Sequence, residues 1–202
     1  NDFLDYYNKL NSNTQLQKSK LSFTDIAYLD NAVKGLHETI FIEGGFKGKL
    51  SDLRAKNAEI TYKENTKLRA SFSLVGLPDL KKSFIYADIY EFTTIKEDIE
   101  SIKLPKRWMN KPIALPESLG NIGHLEYTGN LTGFLNDYVA YGVLQTDYGI
   151  LSTDLGIKKN SAQDYEFRGD IHTEKFNPQD IVGLNSLIKE TNLSLKINGH
   201  YN

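Results

Sequence analysis

Apolar and polar side chains alternate along much of this chain. Between Leu68 and Leu74 the even-numbered residues are Leu, Ala, Phe and Leu, whereas the odd-numbered residues are Arg, Ser and Ser. Successive side chains of a β-strand point to opposite faces, so this period of two predicts a strand with one buried face. Similar segments, separated by Gly, Asn and charged residues, cover residues 85–89, 125–135, 153–157, 167–171 and 193–197. The sequence therefore predicts a mainly β fold.

Helical signals are few. Asn177 is a suitable N-cap for Pro178 at a first helical position, which predicts a short helix near residues 178–189. One or two further helical turns are expected over residues 96–102. The stretch 103–121 follows, and it contains three prolines and the single Trp of the chain, which is typical of a connector.

An internal repeat is the second constraint on the fold. Six residues recur 85 positions later in the chain: Gly44, Gly48, Leu50, Asp52, Ala55 and Thr61 recur as Gly129, Gly133, Leu135, Asp137, Ala140 and Thr146. Further along the chain the repeat distance shortens to 82 positions. At this distance Asp88-Ile89 and Asp98-Ile99 recur as Asp170-Ile171 and Asp180-Ile181. A unit that cannot bury its apolar face alone stacks on its copies, so we expect an elongated, curved antiparallel sheet with a continuous apolar side.

The repeat defines the expected organisation of the chain. We predict a polar lead-in (1–20), a first β unit (21–102), the Pro-rich connector (103–121) and a second β unit (122–202). The Asn- and Gln-rich lead-in and the Gly-punctuated β pattern that continues to the last residue are expected of an internal piece of a longer protein.

Composition excludes several classes of function. The formal net charge is −2 and acidic and basic residues are interspersed, which argues against nucleic-acid binding. The chain has no cysteine, so disulfides, thiolate metal sites and thiol nucleophiles are excluded. No apolar run approaches the ~20 residues that span a bilayer as a helix.

No catalytic constellation stands out. Asp52 and Asp137 occupy matched repeat positions, and paired carboxylates are the basis of a hydrolase alternative. The repeated Gly-x-Leu-x-Asp pattern nevertheless favours turn chemistry at both sites. The four histidines are far apart in the sequence and show no metal-ligand spacing. We therefore expect a protein that is not an enzyme and has neither a cofactor nor a metal.

Four strings resemble the TamB-like translocation and assembly module proteins of Bacteroidota, which belong to the AsmA superfamily. They are FTDIAY (23–28), GKLSDL (48–53), VGLPD (75–79) and TGFLNDYVAYG (132–142), and the resemblance spans residues 21–199. The last two strings are the most specific. The membrane anchor and the C-terminal domain of the family have no counterpart in these strings.

The resemblance implies a long periplasmic protein anchored in the inner membrane. It implies an open β "taco" or half-pipe with an apolar interior, which takes part in outer-membrane biogenesis and phospholipid transport. The implied partners are a phospholipid or another acyl lipid, and an outer-membrane TamA-like barrel of the Omp85 type that docks on other parts of the protein. Since the anchor and the C-terminal domain are not matched, neither anchoring nor docking is assigned to these residues.

An apolar sheet face must be covered by protein or by something equally apolar, and acyl chains qualify. Each buried methylene contributes ~0.8 kcal/mol, so a groove that shields part of an acyl chain offsets several kcal/mol of exposure. The alternation predicts these lipid-groove residues: Leu50, Leu68, Phe72, Leu74, Ile85, Ile89, Leu125, Leu131, Leu135, Leu155, Ile157, Phe167, Ile171, Leu195 and Ile197.

Two other hypotheses remain open at the level of sequence. The chain contains 12 Tyr and 10 Phe, and exposed aromatic residues beside polar groups are how a non-catalytic module for glycan or protein would bind its ligand. Alternatively, the chain is a structural spacer whose apolar face is a closed core sealed by the Pro-rich connector.

Overall fold

The computed structural model describes residues 9–27, 34–77, 79, 82–103, 122–160, 164–177 and 190–201. They form a single ten-stranded antiparallel sheet in which the order of the strands equals their order in the chain. The mainly β prediction is therefore confirmed. The strands are β1 (Ser12–Ser22), β2 (Thr39–Lys49), β3 (Asp52–Tyr62), β4 (Thr66–Val75), β5 (Phe84–Ile95), β6 (His124–Phe134), β7 (Asp137–Thr146), β8 (Gly149–Lys159), β9 (Tyr165–Glu174) and β10 (Ser194–Tyr201).

Two short helices accompany the sheet. Helix α1 (Phe23–Ile26) follows β1 and begins where the Ser22 hydroxyl accepts a hydrogen bond from the Thr24 N–H at 3.2 Å. Helix α2 (Lys96–Ser101) follows β5, where the sequence predicts one or two helical turns. The predicted helix at 178–189 lies outside the described residues.

The hairpins β2–β3 and β6–β7 contain the residues of the sequence repeat. Gly48 and Gly133 have positive φ angles of 110° and 137° near the end of each first strand. A Cβ atom would lie 2.1 Å from the Asp52 carbonyl oxygen at Gly48 and 2.3 Å from that of Asp137 at Gly133. Both turns therefore require glycine. That the two halves are copies of one unit stays a prediction.

A line of bulges crosses the first half of the sheet. The pairing register shifts between Leu16 and Ser19 in β1, between Ala55 and Ala58 in β3 and between Ile89 and Phe92 in β5. Each of these strands carries one more residue than its partner at this level. The ladders from β6 to β10 have no such shift. Bulges bend a strand and increase its twist, so bending is concentrated between β1 and β6.

The expected boundaries of the chain differ from the observed sheet in two ways. Residues 12–20 of the polar lead-in belong to β1, which is an edge strand with only Leu16 and Leu21 as large apolar residues, so its alternation is weak. Strands β5 and β6 pair directly although the connector separates them in sequence. The two expected units thus share one sheet. Residues 104–121 of the connector lie outside the described residues.

Candidate functional site

The pairing register shows which side chains share a face of the sheet, because cross-strand partners point to the same side. We call the side that carries Leu68 the Leu68 face and the opposite side the Arg69 face. Three lines of partners cross the Leu68 face: Phe46, Ala55, Phe72, Ala87, Leu131, Ala140, Leu155, Gly169 and Ile197; Leu53, Leu74, Ile85, Gly133, Tyr138, Ile157, Phe167 and Gly199; and Ile60, Leu68, Phe92, Tyr127, Leu144 and Leu151.

Most of the predicted groove residues lie on this face. On the three lines or beside them are Leu68, Phe72, Leu74, Ile85, Ile89, Leu125, Leu131, Leu155, Ile157, Phe167, Ile171, Leu195 and Ile197. Leu50 and Leu135 do not join them, because each lies in the two-residue turn of its hairpin. Leu131 and Leu135 are four positions apart, which would place them on one face of a continuous strand. Strand β6 ends at Phe134, so the alternation no longer applies at Leu135.

The large side chains of the Leu68 face are only half-buried. Of the predicted residues on this face, only Leu125 is buried, and Leu195 is exposed. In the described part of the chain the buried apolar residues are Ala55, Ala58, Ala70, Ile122 and Leu125. A closed core buries its Leu, Ile and Phe residues, whereas here it is mainly alanines that are buried. The described strands are thus a single layer with a partly exposed aliphatic side.

Small residues occupy the level of the bulges on the Leu68 face. Ala58 and Ala70 are partners, and a Cβ atom on Gly44 would lie 2.8 Å from the Ala58 Cα. Further along the sheet, Gly129 is paired with Gly142. Between these two groups lies Ile89. Small residues therefore lie on both sides of Ile89 at this level, between the line of Leu68 and the line of Phe72.

Tyr127 covers the glycine pair. A Cβ atom on Gly142 would lie 2.7 Å from the Tyr127 hydroxyl oxygen, so the absence of a side chain there makes room for the phenol. The hydroxyl lies 3.3 Å from the Tyr141 carbonyl oxygen and donates to it. Burial raises the pKa of Tyr127 above its ordinary value, because the phenolate is disfavoured beside apolar groups.

Charge is divided between the two faces. None of the residues on the three lines of the Leu68 face is charged. On the Arg69 face, the Arg69 guanidinium is 3.1 Å from Glu91, and the Lys67 ammonium is 3.3 Å from Glu59. An uncharged, hydrocarbon-rich surface imposes no desolvation penalty of charged groups on an apolar ligand. The Leu68 face is thus the candidate site for such a ligand.

Sequence reasoning missed a group of exposed aromatic residues on the Arg69 face. We call Phe84, Tyr86, Tyr90, Phe134 and Tyr141 the aromatic patch. A signal was present, because both phases of residues 84–90 are largely apolar, with Phe84, Tyr86 and Tyr90 interleaved with Ile85, Ala87 and Ile89. A strand with one buried face does not need aromatic residues on its other face.

Metal sites and membrane-spanning helices are absent from the described residues. No described group of three or more His, Asp or Glu side chains is placed to hold a metal ion. No helix in the described ranges is long and apolar enough to cross a membrane. The chain matches no family model, no curated protein and no solved structure. The resemblance to the TamB-like family therefore rests on the four sequence strings.

Proposed function

We propose that this chain is a periplasmic segment of a TamB/AsmA-like protein that shields lipid acyl chains and conducts them between the inner and outer membranes. One observation carries the proposal: large aliphatic side chains stand in register across successive strands of the Leu68 face and remain half-exposed. Water in contact with such a surface is unfavourable, and an acyl chain removes it at ~0.8 kcal/mol per buried methylene.

The dimensions of the sheet suit this role. Neighbouring strands are ~4.8 Å apart, so the lines from β2 to β10 extend over roughly 40 Å. A lipid tail that lies across the strands meets an apolar or aromatic side chain on most of them, with gaps at Gly133, Gly169 and Gly199, and no charged residue interrupts these lines. Movement along the sheet then exchanges one apolar contact for an equivalent one, without a local energy source or cofactor.

The bulges and glycines support a trough-like "taco" shape. Bulges and glycine kinks at defined positions are the means by which sheets acquire curvature. The extra residues in β1, β3 and β5 lie at one level, next to Gly44, Ala58 and Ala70. Small residues along a bend reduce crowding on its inner side. We propose that the sheet curves about this level and that the Leu68 face is concave.

The cellular setting follows from the family resemblance. The periplasm, the inner-membrane anchor and docking of other parts of the protein to a TamA-like barrel are carried over from the TamB-like proteins. Of the four strings, 48–53 and 132–142 form equivalent turns between β2 and β3 and between β6 and β7. The proposed role is in outer-membrane biogenesis, with a phospholipid as the transported lipid.

In-cell photo-crosslinking of the full-length protein tests the proposal. A photoreactive residue at Phe72 probes the Leu68 face, and one at Arg69 probes the opposite face of the same strand, where the side chain is 52% exposed. Lipid adducts at Phe72 and none at Arg69 are expected. Adducts to protein alone at Phe72 would favour the closed core of a spacer, and equal lipid labelling at both positions would indicate adsorption without a groove.

A further inference from the structure

The aromatic patch lies on the face that the proposed lipid function leaves unused. Its five rings come from β5, β6 and β7, and each residue is between 39% and 62% exposed. Phe84 and Phe134 are cross-strand partners whose rings meet edge to face, with centroids 5.3 Å apart and planes at 80°. Groups of large exposed aromatic side chains are uncommon on a sheet face that contacts only solvent.

The patch includes a residue of the bulge in β5. Tyr90 is in the register shift between Ile89 and Phe92, and its hydroxyl donates to the Ser71 hydroxyl oxygen at 2.9 Å. Ser71 lies on the Arg69 face, since it is the partner of Asp88. Tyr90 has the same even phase as Phe84 and Tyr86, so its ring lies on the Arg69 face at the point where the ladder slips.

Polar groups are set among the rings. The Tyr86 hydroxyl donates to Asp88 Oδ1 at 3.0 Å, and the Asn130 amide donates to the same oxygen. Asn130 is in turn the partner of Tyr141, the most exposed residue of the patch. A carboxylate and a primary amide, which together offer acceptors and donors, are therefore held at fixed positions between Tyr86 and Tyr141.

We propose that the aromatic patch binds a neutral glycan. A sugar ring presents an apolar C–H face, which stacks on an aromatic ring, and a rim of hydroxyl groups that both donate and accept hydrogen bonds. The patch offers exposed rings to the C–H face of the sugar, and it offers the Asp88–Asn130 pair to the hydroxyl groups. Held by their neighbours, these polar groups are oriented before the ligand arrives.

The charges on this face favour a neutral ligand. The Arg69 guanidinium lies within 4.0 Å of Glu59 and 3.1 Å of Glu91, so its charge is already paired. Beyond Tyr141 the row continues with Asp154, Asp170 and Lys196, so two carboxylates face one ammonium and an excess of negative charge is left. An anionic ligand is repelled there. A protein partner would have to desolvate Asp88 in the middle of the contact, where interfaces are depleted of charged residues.

Affinity electrophoresis of the full chain in gels that contain starch, dextran, xylan, mannan or laminarin tests this inference. We expect retarded migration in at least one gel. The matched variants are Tyr86→Ala, Tyr141→Ala and, as control, Phe41→Ala, which removes an exposed ring from the same face outside the patch. Loss of one stacking ring is expected to weaken binding about three- to tenfold, and Phe41→Ala is expected to leave it unchanged.

Several outcomes would overturn the inference. The first is unretarded migration in every gel. The second is equal retardation of the wild type and both patch variants. The third is a loss of retardation in Phe41→Ala as large as that in the patch variants. Sedimentation in the absence of sugar provides the protein-partner outcome: self-association that is lost in Tyr86→Ala would make the patch a contact between copies. Far-UV circular dichroism checks the fold, and Tyr141→Ser repeats the test at the most exposed position. The lipid proposal is unaffected by any of these results, because it concerns the other face.

Discussion

The carboxylate of Asp98 in α2 accepts a hydrogen bond from the hydroxyl of Thr66, the first residue of β4, over 3.0 Å. Thr66 is itself 2.8 Å from the Thr94 hydroxyl, and the Lys63 ammonium is 3.6 Å from the other carboxylate oxygen. Asp98 is only 4% exposed and Thr94 is fully buried. A buried carboxylate with these partners ties the short helix to the end of the sheet.

Replacement of Asp98 by Ala is expected to lower the free energy of unfolding by about 1–3 kcal/mol, because it removes the acceptor of the half-buried Thr66 hydroxyl and the partner of the Lys63 ammonium. The measurement is urea unfolding followed by circular dichroism. Glu97→Ala is the control, since Glu97 is the exposed neighbour in the same helix. Equal midpoints for the two variants would show that the buried network contributes nothing to stability.

The glycine pair under Tyr127 gives a second prediction. A Cβ atom on Gly142 would lie 2.4 Å from the Thr128 carbonyl oxygen, whereas one on Gly156 would lie 3.4 Å from the Arg168 carbonyl oxygen. We expect Gly142→Ala to destabilise the protein by about 1–3 kcal/mol through overpacking. Gly156→Ala is the control and is expected to be neutral or slightly stabilising, since alanine lowers the entropy of the unfolded chain. Thermal unfolding of both variants measures the difference, and tolerance of Gly142→Ala would mean that Tyr127 does not occupy this space.

The alternation in the sequence was sufficient to predict β4, because one phase of residues 68–74 is apolar and the other is polar. It was insufficient where a bulge changes the phase. Ala55 and Ala58 are an odd number of positions apart and still lie on the same face, since the extra residue of β3 lies between them. Period-two reasoning assumes a regular ladder, and nothing local in the sequence marks the position at which the ladder slips.

The candidate site shows the same limit. Leu131 and Leu155 lie on one face, whereas Leu135, which the alternation groups with them, follows the end of the strand by one residue. Strand ends depend on hairpin geometry, which here is set by the positive φ of Gly133. The aromatic patch was missed because both phases of residues 84–90 are apolar or aromatic apart from Asp88, so hydrophobicity alone does not reveal that Phe84, Tyr86 and Tyr90 are exposed.

Stability is expected to decline at alkaline pH. Burial raises the pKa of Tyr127 above its ordinary value, and burial followed by the influence of Tyr165 raises that of Tyr138. A phenol whose pKa is higher in the folded state holds its proton more tightly there than in the unfolded chain. The protonated phenol therefore stabilises the fold relative to the phenolate. Its contribution is complete below the pKa of the unfolded chain and is lost as pH rises through the folded pKa.

The free energy of unfolding from urea titrations should therefore be flat with respect to these phenols between pH 7 and 9 and should fall above about pH 10. Tyr127→Phe cannot ionise and is expected to show a shallower decline than the wild type. Identical slopes in the two proteins would exclude Tyr127 as a contributor to the alkaline loss.

A charge on the Leu68 face is the most direct test of the proposed lipid path in the intact protein. Phe72 lies between Ala55 and Ala87 on the first of the three lines, so Phe72→Asp places a carboxylate where an acyl chain would pass. Desolvation of that carboxylate costs several kcal/mol, which is enough to block transfer. We expect increased sensitivity of cells to detergent and large antibiotics, with the variant still present at normal abundance.

Leu135→Asp is the matched control, because Leu135 is exposed in a turn and its replacement leaves the face unchanged. Normal outer-membrane integrity in the Phe72 variant, or equal defects in both, would argue against a lipid path on this face.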